Sequence, residues 1–232
     1  MNLPKKLWLV RHGESLANLA RHKAEAEGLP EIDFPFREPD VPLSELGRQQ
    51  ARETGKWLSA LSAENKPSRI YVSPFVRTLE SAKLVADTAG LGSLKTIVDE
   101  RLREREMGIF DRLTKIGALQ KYPDEYARRE RIGKYYYRAP GGENWCDVIL
   151  RVRSFWDDLL ENETAENVLV VTHEVVIRCF RCVIESLAET QIMEIDRLSD
   201  IKNGAITEYE IQEIPPGLKL LQDNFLPGMP IM

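Results

Sequence analysis

An α/β domain with a mostly parallel central sheet, helices on both faces and a helical lid insertion is what this sequence predicts. Three observations carry the expectation. Four short apolar runs, at residues 7–10, 70–72, 96–98 and 168–171, are continuous rather than alternating, as strands buried on both faces of a parallel sheet should be. Between them, apolar residues recur at helical spacing. Strands alternating with helices are the pattern of a parallel sheet built from crossover units.

The elements follow in order. The first strand, 7–10, leads into Arg11-His12-Gly13-Glu14-Ser15. Residues 21–42, rich in acidic residues and proline, read as a long loop. Ser44 can cap a helix whose apolar positions are Leu46, Thr54, Trp57, Leu58 and Leu61. After the strand at 70–72, Ser73-Pro74 signals a helix start for residues 75–89. The stretch 108–142 breaks the alternation and reads as a partly helical, lid-like insertion within one domain spanning 1–232. Val148, Ile149, Val152, Phe155, Trp156 and Leu159 form the stripe of a helix running to about residue 160. A last helix should cover 174–187. Residues 205–211 alternate in polarity and suit an edge strand.

Composition narrows the function classes. With 232 residues the chain can bury a full core without disulfides or metal staples. Thirty-two basic against 37 acidic residues, a net charge of -5, argue against a general nucleic-acid or anionic-membrane binder. No apolar run approaches the roughly 18 residues of a membrane span, and 7–10 is too short for a signal-peptide core. Three cysteines, an odd number, fit a reducing cytoplasm rather than a disulfide framework.

Open parallel sheets bind ligands beyond the carboxyl ends of their strands, and there this sequence concentrates its chemistry. The four strand ends deliver Arg11 and His12, Ser73 and Arg77, Arg103 and Glu104, and His173 with Glu174. This set suits phosphoryl transfer through histidine. Neutral imidazole is a good nucleophile near pH 7. Guanidinium groups grip phosphate oxygens and stabilise the spread charge of the transition state. A carboxylic acid can protonate the departing oxygen. Gly13 would let the backbone approach the phosphate, and a helix starting just after His12 would add N–H donors.

Each residue also has a structural reading. An isolated strand-end histidine is commonly a satisfied structural residue, and it is the convergence of four strand ends that points to catalysis. No HxH or HExxH spacing suggests a metal site, and no cofactor is expected. His22 reads as solvated. Cys179-Phe180-Arg181-Cys182 lies inside a predicted helix and reads as core rather than redox-active.

Leu9-Val10-Arg11-His12-Gly13-Glu14-Ser15 resembles the histidine phosphatase superfamily, also called phosphoglycerate mutase-like. The match continues through Leu43-Ser44-Glu45-Leu46-Gly47, Ser73 to Thr78, Glu104 and Val171-Thr172-His173. The resemblance implies that His12 is the phosphorylated nucleophile and Glu104 the proton donor. Arg11, Arg77 and His173 complete the phosphate pocket, and Asn18 bonds the phosphate. Tyr122-Pro123-Asp124-Glu125-Tyr126, Lys134-Tyr135-Tyr136-Tyr137-Arg138, Pro140-Gly141-Gly142-Glu143 and the segment from His173 to Cys179 are similar to the bisphosphatase half of the bifunctional fructose-2,6-bisphosphate enzymes. That similarity implies that Arg129, Lys134 and Arg178 hold a second phosphate. It also shows departures: there is no GxxxxGK[ST] loop, and Glu174 stands where that family has Gln. The expectation is a cytoplasmic, metal-independent phosphatase of small phosphorylated metabolites, among them sugar phosphates or bisphosphates. A mutase, or a weakly catalytic phosphate-binding protein, is the alternative. A homodimer is left open, and neither nucleic acid nor membrane is expected as a partner.

Overall fold

The computed structural model describes residues 3–212 and 217–228. Among these lie strands β1 (Lys6–Arg11), β2 (Arg69–Val72), β3 (Thr96–Val98), β4 (Asn167–Thr172), β5 (Ile206–Gln212) and β6 (Gly217–Phe225). They form one sheet in the order β3-β2-β4-β1-β5-β6. The first four are mutually parallel, as the continuous apolar runs predict, while β5 runs antiparallel to both its neighbours, β1 and β6. The helices are α1 (Leu16–Ala26), α2 (Glu45–Ser59), α3 (Val76–Ala89), α4 (Lys115–Lys121), α5 (Pro123–Ile132), α6 (Trp145–Asn162), α7 (Glu174–Ile184) and α8 (Glu189–Leu198).

Period-two geometry sends alternate strand residues to opposite cores. Leu7, Leu9, Val168 and Val170 pack with Trp145, Val152, Phe155, Ile177 and Phe180 from α6 and α7. Trp8, Val10, Leu169 and Val171 pack with Ala51, Leu58, Ala82 and Val85 from α2 and α3. Burying each such aliphatic side chain contributes about 1.5–3 kcal/mol. The most deeply buried strands, β1 and β4, are therefore also the most firmly held.

Several expectations need correction. Residues 205–211 are not an edge strand: β5 lies between β1 and β6. The edge is β6, whose polar residues Lys219, Gln222, Asp223 and Asn224 hide its strand character. Residues 21–42 are not one loop, because α1 continues to Ala26 and only the remainder is irregular apart from a 3-10 turn at Glu38–Asp40. His22 therefore sits on a helix, still exposed. Ser73 does not cap α3, whose N-cap is Phe75, without a side-chain bond. The helix after His12 is delayed to Leu16, capped by Ser15.

The insertion at 108–142 is closed at its base, where Met107 bridges to Gly142 and Glu143 N donates to Glu106 O at 3.0 Å. It has its own small core around Phe110, Leu113, Ala118 and Tyr137. It also docks on the irregular stretch after α1. Ile32 N donates to Arg112 O at 2.8 Å, Arg112 lies 4.2 Å over the Phe34 ring, and Arg112 also donates to Phe34 O and Phe36 O. These two segments together wall one side of a cavity at the carboxyl ends of the strands.

Candidate active site

Register places the site. β1 and β4 are parallel neighbours with Arg11 opposite Thr172, so the residues that follow, His12 and His173, emerge side by side. His12 N donates to Thr172 O at 3.0 Å, and the two imidazoles meet edge to face with centroids 5.1 Å apart. Both rings are buried. His12 Nδ1 lies 2.7 Å from Gly13 O. A carbonyl only accepts, so this contact assigns the proton to Nδ1 and leaves Nε2 with its lone pair. Burial first, and then the charges of Arg77 and Arg11, push the His12 pKa well below the usual histidine value. Burial and Arg77 do the same to His173. Ser73, unused as a cap, places its Oγ 2.8 Å from His173 Nε2, while His173 Nδ1 is buried without a partner.

Two arginines flank the imidazoles, and each carries a carboxylate. Arg11 Nη1 donates to Ile201 O and lies 3.1 Å from Glu174 Oε2, and its buried Nε is unpartnered. Arg77, in the first turn of α3, is buried and stacks 4.9 Å over Phe75. Its Nη1 donates to Glu38 O at 2.8 Å and its Nη2 to Glu38 Oε1 at 2.9 Å. Glu104 follows the 3-10 turn after β3. It lines the cavity, and its Oε1 accepts from Arg105 N at 2.8 Å. The structure thus brings Arg11, His12, Arg77, Glu104, His173 and Glu174 to one end of the sheet.

Gly13 and Asn18 also carry structural roles, and Asn18 lines the cavity. A Cβ on Gly13 would lie 2.1 Å from Gly47 O, and one on Gly47 would lie 2.0 Å from Glu14 O. Gly13 is therefore required by the packing of α2 against the backbone after His12, and not only by approach to a ligand. Ser44 Oγ caps Gly47 N at 3.0 Å and lies 2.7 Å from Glu14 Oε1, which ties the Leu43-Ser44-Glu45-Leu46-Gly47 motif to the nucleophile loop. Asn18 Oδ1 closes the capping box of α1 through Ser15 N at 3.0 Å and accepts from Asn203 Nδ2 at 3.3 Å. Only its Nδ2 is left for a ligand.

The second-phosphate set does not open together onto the cavity. Arg178 is 1% exposed and absent from the cavity lining. Its guanidinium lies 3.3 Å from Asp196 Oδ1 and 3.7 Å from Glu174 Oε1, and it donates to Ser199 O. Lys134 lines the cavity but pairs with Asp196. Arg129 lies outside the lining and pairs with Glu130 Oε1 at 3.0 Å. Helical spacing correctly puts Arg178 one turn after His173, but it does not reveal the two acidic partners that fill its guanidinium. Other cavity residues escape a sequence reading, among them Glu38, Arg105 and Asn203. The Arg105 side chain has a buried, unpartnered Nε, and among the described residues its one side-chain hydrogen bond is from Nη2 to Met107 Sδ, at 3.3 Å. Asn203 Nδ2 donates to His12 O at 3.1 Å. None of the three sits in a recognisable motif.

The cavity measures about 870 Å³, and polar side chains make up much of its wall. Among the described residues, no group of three or more His, Cys, Asp or Glu side chains is placed to hold a metal ion, and no helix is long and apolar enough to cross a membrane. Cys179 and Cys182 are free and buried, and burial pushes both thiols up, Cys182 to about 11. This is the behaviour of core residues.

Comparison with known proteins agrees with the fold. The chain is 31% identical over 176 residues to the fructose-2,6-bisphosphatase of Saccharomyces cerevisiae, which covers 76% of this chain but only 33% of that protein. It is 32% identical over 192 residues to the 2,3-bisphosphoglycerate-dependent phosphoglycerate mutase of Rhizobium meliloti, covering 82% and 84% of the two chains. Among solved structures, Bacillus stearothermophilus YhfR superposes with a TM-score of 0.72 at 26% identity, covering 94% of this chain and 96% of that one. The model of the histidine phosphatase superfamily (branch 1) matches residues 7–224, and the chain belongs to that family.

Proposed function

We propose that this protein is a phosphomonoesterase of small phosphorylated metabolites that works through a phosphohistidine on His12. The observation that carries the reading is the state of His12. It is buried, neutral and held by its Nδ1 proton, with Nε2 free beside two arginines and a second imidazole. Arg11 Nε and His173 Nδ1 are buried polar atoms without protein partners. Buried polar groups are normally satisfied, and both of these belong to residues that flank His12.

In the first half-reaction His12 Nε2 attacks phosphorus, Arg11, Arg77 and His173 stabilise the transferring group, and Glu104 protonates the leaving alkoxide. In the second, water attacks the phosphohistidine with Glu104 as base. The positive charge comes from guanidinium groups, so no metal ion is needed for it.

Hydrolysis is favoured over mutase chemistry by the second-phosphate set. A mutase must hold an anionic group while the phosphoryl group changes position. Here Arg178 and Lys134 are already paired with acidic residues, and Arg129 lies outside the cavity. The same pairing favours a monophosphate over a bisphosphate substrate.

The test is turnover of a generic aryl phosphate in excess chelator, with acid quench of the working enzyme. An acid-labile, base-stable phosphoryl adduct that vanishes in His12→Ala is expected. Full activity in His12→Ala, or an adduct on His173 alone, would overturn the reading.

A further inference from the structure

Both guanidinium groups beside His12 carry a carboxylate, and the two carboxylates are held differently. Glu174 opens α7, accepts from Ile201 N at 3.2 Å, and faces Arg178 as well as Arg11. Glu38 sits on the 3-10 turn between α1 and α2, and its side chain bonds only Arg77. The other described hydrogen bonds of residues 37–40 are internal, between Arg37 and Asp40. On either side the chain is fixed, by Arg112 on Phe36 O and by the fully buried Val41. The turn is thus a short span between two anchors, and Glu38 is its one polar attachment to the site.

Charge makes this attachment consequential. Arg11 and Arg77 face Glu38, Glu174 and Glu104, and both imidazoles are neutral. Each of these two guanidinium groups is thus already offset by a carboxylate, and Arg105 is a further guanidinium of the cavity. A phosphoryl dianion cannot settle on Arg77 Nη2 while the Glu38 carboxylate holds it, because like charges at this range repel in a partly buried site. One carboxylate must give way, and only Glu38 can do so without breaking a second contact.

We propose that Glu38 is the specificity-determining residue of the phosphate site: its carboxylate holds Arg77 until a phosphoryl dianion displaces it. Only an anion that binds Arg77 better than a carboxylate can enter. Guanidinium groups bind phosphate oxygens through paired bonds, and the second negative charge lets a dianionic monoester displace the carboxylate where a monoanion such as a phosphodiester does not. The inference rests on reading Arg77 as a phosphate ligand, but it does not require turnover.

Titration calorimetry with inorganic phosphate, on the wild-type protein and Glu38→Gln, tests it. Removing the competing charge should tighten phosphate binding by roughly tenfold. Asp40→Asn, on the same turn but paired only with Arg37, should leave it unchanged. Dimethyl phosphate, a monoanion, should compete with aryl phosphate in Glu38→Gln and not in the wild type. If Glu38→Gln does not fold, Glu38→Asp, which keeps the charge but shortens its reach, must bind phosphate more tightly than wild type. Unchanged or weaker binding in the Glu38 variants overturns the proposal, as does equal tightening in Asp40→Asn. Tighter phosphate in Glu38→Gln with no hydrolysis by either protein would leave the displacement standing and remove the phosphatase reading instead. Absence of phosphate binding with turnover intact would do the reverse.

Discussion

Glu174 joins Arg11 to Arg178: one carboxylate oxygen lies 3.1 Å from Arg11 Nη1 and the other 3.7 Å from Arg178 Nη2. Burial raises its carboxyl above the usual range, while the charge of Arg11 opposes that rise. The residue at this position therefore sets how much positive charge Arg11 shows to a ligand. Glu174→Gln keeps the shape and removes the charge. KM for a small aryl phosphate should fall by roughly three- to tenfold with kcat little changed, on the scale of one partly screened charge contact. A rise in KM would mean that Glu174 positions Arg11 rather than damping it.

Arg178 is better regarded as part of the scaffold than as a ligand for substrate. Truncating one member of a buried charged network leaves its partners uncompensated and costs about 3–5 kcal/mol. Arg178→Ala removes the cation that Glu174 and Asp196 share and leaves each with one partner, Arg11 and Lys134, so denaturant unfolding should show a loss at the lower end of that range, about 3 kcal/mol. Activity should drop alike on an aryl monophosphate and on a bisphosphate of similar size. Selective loss on the bisphosphate, with stability intact, would restore Arg178 to the substrate site.

The buried imidazoles give stability a pH dependence. Burial, and then Arg77 and His12, hold His173 neutral well below the ordinary 6.5. Between its folded value and 6.5 the unfolded chain binds a proton that the folded chain does not, so stability is lost as pH falls through this window and is unaffected above it. His173→Gln removes this contribution. The stability difference between wild type and His173→Gln should therefore narrow as pH falls from about 7.5 to about 5. A difference that stays constant would place a charged His173 in the folded protein.

Much of this architecture is legible before any coordinates. Continuous apolar runs announce β1 and β4 because both faces of each strand are covered, and the residues just past their ends are then forced together by parallel register. His12 and His173 meet for that reason. Local pattern fails where the structure depends on tertiary partners. β6 is half exposed and mixes Lys219, Gln222 and Asp223 into its strand, so periodicity does not separate it from a loop. Ser73-Pro74 carries the letters of a helix cap, yet the hydroxyl is taken by His173. Glu38 and Asp196 belong to no motif, and they decide which arginines remain available to a ligand.

Among the described residues the Glu104 side chain accepts a hydrogen bond only from Arg105 N. A carboxyl so lightly engaged is available to exchange a proton with a leaving group in the cavity. Its importance as a general acid should scale with the basicity of the departing oxygen, because a poor leaving group needs the proton and an activated phenolate does not. Glu104→Gln should slow an alkyl phosphate by about 10²–10⁴-fold, the range of general acid catalysis. An activated aryl phosphate should lose far less in its first step. The adduct on His12 should accumulate with the aryl substrate, since the same carboxylate is proposed to activate the water that clears it. Equal losses on both substrates, with no accumulated adduct, would assign Glu104 an electrostatic or structural role and leave the proton donor to be sought among the other cavity carboxylates.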